Sequence, residues 1–315
     1  MAVYMPNEMD FQGKNFSMIM SGSRGIGKTT LALSAPDPVL VDFDEGVSRV
    51  KARHRKPTIM GKTYEEIRDD IETSQLVKDA KTIVIDTGGA FITYLQDWAI
   101  RDNSTVNKQK SSNAISQKGF GAVKAEFVRF TNVLRTVMKK NVIYIFHTVE
   151  EKDGDVTKYR LMCEGSARNI VWQPCDLGCY MMITGNKRYL GFTPTEQYFA
   201  KGCYGISGLV EVPELTESTP NDLITHLFQK ARENIVREAS EGAENQAKYE
   251  AAMEQVKQIV AGVEDAGSAG AAAEGLKKLE HALSSEREAR AMLSARTKDL
   301  GLKWDKAAKA YVEEA

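Results

Sequence analysis

Cysteine is scarce in this chain, with four in 315 residues at positions 163, 175, 179 and 203. None forms a CxxC pair. Cys175 and Cys179 have no histidine or further cysteine beside them to complete a ligand set. That argues against a disulfide scaffold or a zinc module and fits reduced thiols in a cytosolic core. Long apolar runs are absent: none reaches 18 residues, and Glu8 and Asp10 stand where an export signal would be basic and apolar. A soluble, cytoplasmic protein without a membrane partner is expected. Net charge is nearly absent too, at −1, so any contact with a polyanion must come from local patches. What is present is 42% hydrophobic and 27% charged residues, enough for one large or two small globular domains.

The first 150 residues alternate short apolar runs with amphipathic stretches. Phe16 to Met20, Val39 to Phe43, Thr82 to Ile85 and Val142 to Phe146 read as buried strands. Tyr64 to Leu76, Ala90 to Ile100 and Lys124 to Lys140 read as helices between them. This βαβα rhythm predicts an α/β fold with a mainly parallel sheet covered on both faces. Residues 149–215 hold shorter β-like runs, Leu177 to Ile183 and Tyr189 to Phe192, split by turn signals such as Gly185-Asn186, which predicts an antiparallel extension. A helix is expected at about 221–239. Beyond residue 240 the chain is rich in Ala, Glu and Lys without strand signal, and 266–275 (AGSAGAAAEG) reads as a small-residue linker between helices at about 243–264 and 276–314. The expected division is a core over 1–239 and a helical C-terminal appendage over 240–315.

Gly22-Ser23-Arg24-Gly25-Ile26-Gly27-Lys28-Thr29 fits G-x-x-x-x-G-K-[ST] without departure, after a buried strand and before a helix pattern that opens at Thr30. Such a P-loop turns successive backbone N–H groups toward phosphates, and the helix N-terminus adds a favourable dipole. Lys28 is expected on the β- and γ-phosphates, and the Thr29 hydroxyl on Mg2+. Asp86, at the end of Thr82-Ile83-Val84-Ile85-Asp86, is the expected second magnesium ligand. Thr87, not Glu, follows it, so the base used by many AAA+ and ABC-type ATPases is missing at that place. Val39-Leu40-Val41-Asp42-Phe43-Asp44-Glu45-Gly46 supplies two acids, Asp44 and Glu45, able to orient and deprotonate an attacking water. Asp86-Thr87-Gly88-Gly89 satisfies DxxG, but no NKxD guanine reader accompanies it, so ATP is expected rather than GTP.

The order of these motifs resembles that of RecA proteins, and more closely the phage-encoded RecA-core ATPases of the Sak single-strand annealing group, over about residues 15–230. The resemblance implies a RecA-like ATPase core with ATP and Mg2+. It places the catalytic acid at Asp44, with Glu45 the runner-up, and a γ-phosphate sensor at His147, at the end of the strand Asn141 to Thr148. It implies completion of the site by a neighbouring subunit in a ring or filament. Lys201 falls where the family places one such basic residue; Cys203 stands at the second position, and Arg188 is an alternative.

It also implies single-stranded DNA at two segments leaving the third and fourth strands. The first, 101–120, carries Arg101, Lys108, Lys110 and Lys118; the second, 150–170, carries Lys158, Tyr159 and Arg160. Cations neutralise phosphates, and an aromatic ring stacks on bases. Leu276, Leu279, Leu283, Met292 and Leu293 give the tail an apolar face. That face is expected to meet the core, another subunit or a single-stranded DNA-binding protein. The expected function is ATP-driven annealing or strand exchange in phage recombination. Two rivals stand beside it: a nucleotide-dependent assembly or packaging switch without DNA, and a P-loop small-molecule kinase.

Overall fold

The computed structural model describes residues 11–163 and 167–313. Glu8, Asp10 and residues 164–166 of the second DNA segment lie outside that range. The chain divides into a larger compact unit, Gln12–Asn234, and a smaller one from Ile235 onward.

The larger unit is built on one sheet. In chain order its elements are β1 (Ser17–Gly22), α1 (Lys28–Ala32), β2 (Pro38–Asp42), β3 (Thr58–Ile59), α2 (Tyr64–Thr73), α3 (Gln75–Asp79) and β4 (Thr82–Asp86). There follow α4 (Gly88–Asp102), α5 (Ser104–Asn107), α6 (Gln117–Asn132), β5 (Asn141–Asp153), β6 (Val156–Leu161), α7 (Ala167–Ile170), β7 (Leu177–Thr184), β8 (Lys187–Gly191) and β9 (Leu209–Val212). The strands lie in the order β3-β2-β4-β5-β1-β7-β8-β9. From β3 through β7 they are parallel, and β8 and β9 add an antiparallel edge. This is a RecA-like α/β fold, with β5 inserted between β1 and β4.

Every residue of β1, β2 and β4 is buried, as a sheet covered on both faces requires. On one face Phe91, Phe127, Phe130, Tyr64 and Tyr144 form a continuous aromatic cluster with ring centroids 5.1–6.4 Å apart. Thr63 and Glu66 cap α2 reciprocally, an arrangement worth about 1 kcal/mol. On another side Ser34, just past α1, accepts from Ile224 N through its hydroxyl (3.0 Å) and from Thr225 Oγ1 through its carbonyl (2.7 Å). The opening of α8 (Leu223–Ala261) is thus tied to the phosphate-loop helix.

Two segments differ from their sequence reading. Residues 150–162 are not a loop: β5 runs on to Asp153 and pairs with β6 as a hairpin, turning at Gly154-Asp155. Gly154 has φ +62, the positive φ that glycine supplies at the first position of a two-residue hairpin turn. The first polar segment is an ordered excursion. Asn107 is buried and donates to Ala99 O (2.8 Å), Gln109 donates to Ile115 O (3.0 Å), and Lys108 bridges Ile115.

The smaller unit holds the rest of α8, then α9 (Ala266–Lys277), α10 (Ser285–Asp299) and a hairpin of β10 (Leu302–Asp305) and β11 (Ala310–Glu313). The stretch AGSAGAAAEG is therefore helix, not linker. Asp265 and Ser268 cap it reciprocally, and Ala269 and Ala272 are buried where small side chains let helices approach. The strands at the end of the chain also depart from the all-helical expectation; Trp304 and Tyr311 meet edge to face across them. Leu276 and Leu293 lie in this unit's own core, with Leu279 and Met292 packed against it, while Leu283 is 67% exposed. The apolar face read from the sequence is thus mostly covered within the unit. Removal of residues 240–315 is expected to leave a core that melts cooperatively and binds ATP, because every nucleotide-site candidate lies before position 204. An insoluble or nucleotide-blind truncation would place the boundary elsewhere.

Candidate nucleotide site

The sheet register assembles the site. Gly22, the last residue of β1, stands between His147 on β5 and Met181 on β7. On the next strands Asp86 ends β4 beside Asp42 of β2. The P-loop leaves β1 at this carboxyl edge. A Cβ on Gly22 would meet the Met181 carbonyl at 2.6 Å, so only glycine lets the loop start there. Gly27, at φ +104, takes the left-handed turn that opens α1.

Lys28 is 4% exposed. Its ammonium donates to Gly22 O and Ser23 O, both at 2.8 Å, and to His147 Nδ1 at 3.2 Å. Thr29 Oγ1 donates to Asp86 Oδ2 at 2.6 Å. One hydroxyl and one carboxylate, side by side at the end of a phosphate loop, are the hard oxygen donors that Mg2+ takes, with phosphate and water completing its shell. Thr29 and Asp86 would hold that ion, which when bound offsets phosphate charge.

Asp42 was not singled out from the sequence, yet it shapes the acid loop. Its carboxylate accepts from Gly46 N (2.9 Å), Val47 N (2.8 Å) and, more weakly, Asp44 N (3.3 Å). The D-x-D-x-G spacing carries that signal, since an aspartate often accepts from backbone N–H groups just downstream. The turn so fixed puts Asp44 on a cleft of about 780 Å³ shared with Arg24, Arg49, Thr87, His147 and Arg168. Glu45, at φ +55, is exposed and does not line that cleft. Asp44 Oδ2 lies 3.3 Å from Arg49, while Oδ1 is buried without a hydrogen-bond donor. Burial, and then the negative Asp42, raise the pKa of Asp44, which makes its carboxylate a better proton acceptor. Arg49 is 69% exposed, so its pairing with Asp44 is worth at most about 1 kcal/mol. It is a soft restraint that an entering phosphate can outcompete. Arg49 is the second residue the sequence reading passed over.

His147 joins the phosphate loop to the acid cleft. Burial, and then the nearby Lys28, Arg24 and Arg49, push its pKa down to about 4. The ring is neutral at physiological pH, with Nδ1 accepting from Lys28 and Nε2 left to carry the proton. Burial lowers Lys28 to about 8, with Arg24 adding and Asp86 and Asp44 opposing. Burial raises Asp86 to about 6, reinforced by Asp44 and Asp42 and opposed by Thr29 and Lys28. Lys28 must be charged to attract phosphate, and Asp86 must be charged to hold a cation. Affinity of the nucleotide-free protein for Mg–ATP is therefore expected to plateau between about pH 6 and pH 8. It falls below that window as Asp86 gains a proton and above it as Lys28 loses one. Titration with a fluorescent ATP analogue checks this, and a flat profile through both limits would contradict it.

The other sequence candidates fall in varied settings. Arg101 pairs with Glu65 of α2 at 2.7 Å, Lys158 pairs with Asp153, and Arg160 approaches Glu151 at 3.9 Å. Tyr159 stacks on Tyr180, with centroids 5.2 Å apart. Lys110 and Lys118 are exposed, and Lys108 half-buried. Lys201 donates to Cys175 O at 2.6 Å and bridges Gly178 near the amino end of β7, away from the phosphate edge. Arg188 pairs with Ile183 close to the carboxyl end of β7 and is exposed there. Cys175 and Cys179 are buried free thiols, and no cluster suited to hold a metal through His, Cys, Asp and Glu occurs among the described residues. No helix among them is long and apolar enough to cross a membrane.

The strand order, the phosphate loop on β1 and the Thr29–Asp86 pair define a P-loop ATPase of RecA-like fold. Residues 14–204 match the family model AAA_24, described as an AAA domain. The chain belongs to that family. It is also similar to the flagellar accessory protein FlaH from Methanocaldococcus jannaschii, at 13% identity over 63% of this chain and 90% of that one, with a TM-score of 0.33. No curated protein matches it.

Proposed function

We propose that this ATPase acts on single-stranded DNA, assembling on it as a homo-oligomer and promoting annealing or strand exchange in phage recombination. The observation that carries the reading is the course of β5. One continuous strand passes through His147, which touches Lys28 at the phosphate loop, and goes on to pair with the strand bearing Lys158, Tyr159 and Arg160. The side chain in contact with the phosphate-loop lysine and a hairpin bearing cations and an aromatic ring thus share one backbone. ATP between subunits would hold the DNA-binding form and hydrolysis would release it. Arg188, exposed near the carboxyl end of β7, is the better placed of the two candidates to reach a neighbouring subunit's nucleotide.

The test is the rate of ATP hydrolysis with and without a single-stranded oligonucleotide. Stimulation is expected. Neutralising Lys108, Lys110 and Lys118 together is expected to weaken binding and to flatten its salt dependence by roughly 0.7 in log–log slope per lost contact. An unchanged slope would remove the first segment from the DNA path. A rate indifferent to DNA would favour the assembly-switch reading. Phosphoryl transfer to a small acceptor would favour the kinase.

A further inference from the structure

The densest unmatched charge in the described residues lies in neither segment singled out from the sequence. It follows the acid loop directly. Residues 49–56 read Arg-Val-Lys-Ala-Arg-His-Arg-Lys, five cations and a histidine in eight positions without an acid, in a chain of net charge −1. Lys51, Arg53, Arg55 and Lys56 are exposed. Among the described residues the one carboxylate paired with the run is Asp44, on Arg49. The cations of the β5–β6 hairpin differ, since Lys158 and Arg160 each face an acid of the same hairpin. Crowded like charges cost stability unless something neutralises them.

The run is also held in shape. Arg55 donates to Val50 O (2.9 Å) and Ser48 O (3.0 Å), and Arg53 donates to Leu215 O (3.1 Å). The His54 ring is buried, and burial, then Arg53, Lys51 and Lys56, lower its pKa. Beside it lies a hollow of about 320 Å³ lined by Arg53, His54, Lys56, Thr216 and Thr219, with Glu217 its one acid. Hydroxyls and cations around a small hollow suit phosphate oxygens. No exposed aromatic or large aliphatic side chain occurs in the run. A protein partner would want such an anchor, and so would a membrane.

We infer that Lys51 to Lys56 form a contact surface for the sugar-phosphate backbone of single-stranded nucleic acid. The inference rests on reading the protein as a single-strand DNA ATPase and adds a contact next to the hydrolytic acid. Asp44, Arg49 and the run belong to one stretch of chain, so phosphates gathered on the run act on the loop that positions Asp44.

The experiment uses the full chain and a fluorescent oligothymidylate. The side chains of Lys51 and Lys56 make no hydrogen bond or ion pair among the described residues, so the double variant Lys51→Gln/Lys56→Gln spares the fold. It is expected to reduce the log–log salt slope by about 1.4, twice the single-strand increment per contact. Lys51→Glu/Lys56→Glu is expected to abolish binding and DNA stimulation while leaving DNA-free hydrolysis unchanged. If both variants bind as the unaltered protein does, the inference fails and the DNA reading stands. If the unaltered protein does not bind the oligonucleotide, the DNA reading fails and takes this inference with it. If the charge reversal changes only the size of the ATP-bound assembly, the run is a contact between copies and the inference fails.

Discussion

Lys28→Ala protein folds, and its ATP hydrolysis drops below detection, a loss of roughly 10³-fold or more for removal of a preorganised charge at the reacting phosphate. The folding half follows from burial. A 4%-exposed ammonium with its pKa lowered to about 8 is desolvated at a cost to the native state. Its removal deletes that cost together with the hydrogen bonds to Gly22 O and Ser23 O, so the melting temperature is expected to stay close to that of the unaltered protein. The catalytic half follows from geometry. Both carbonyl acceptors belong to the phosphate loop and the third acceptor is His147, so the ammonium stands at the loop where it would meet β- and γ-phosphate oxygens. Thermal melts beside single-turnover hydrolysis separate the two halves. A folded variant with near-normal turnover would remove the P-loop assignment.

Asp44→Asn is expected to bind ATP normally and to hydrolyse it about 10²-fold more slowly, as loss of a general base does. Asparagine keeps the shape of the side chain, and the turn itself is held by Asp42, so the loop survives the change. Glu45→Gln is expected to be close to normal, because Glu45 is exposed and off the cleft. Burst kinetics with nucleotide binding measured alongside would decide. Were Glu45→Gln the slow variant and Asp44→Asn the normal one, the acid would be one residue further on.

The sheet was largely legible because its strands are buried on both faces and read as short continuous apolar runs between glycine-rich or acidic ends. β3, two residues long, and β9, with an exposed first residue, carry too little pattern to be seen that way. The β5–β6 hairpin was obscured by composition: its side chains are charged or half-buried, and only Gly154-Asp155 marks the turn. The alanine-rich α9 was misread because small residues look like a spacer until a neighbouring helix is found to need them. Within the site, the phosphate loop and Asp86 follow from short motifs. Asp42, Arg49 and the Lys28–His147 contact depend on the register of β1 against β5 and on a turn, which local sequence does not encode.

The outward run of β5 has a consequence for length variation. Successive side chains of a strand point to opposite faces. His147 and Val149 border the acid cleft, while Glu150, paired across the hairpin with Tyr159, borders with Tyr180 and Tyr198 a hollow of about 460 Å³ that meets that cleft at Arg24 and Gly25. The strand has a different hollow on each face, and parity decides which one a residue meets. Removing one residue just after His147 would exchange the faces of everything beyond it, turning Glu150 to the side of Asp44 and Val149 toward the tyrosines. Removing two would shorten the wall and leave the sidedness intact. Homologous chains are therefore expected to differ here by even numbers of residues, or to carry a bulge where the difference is odd.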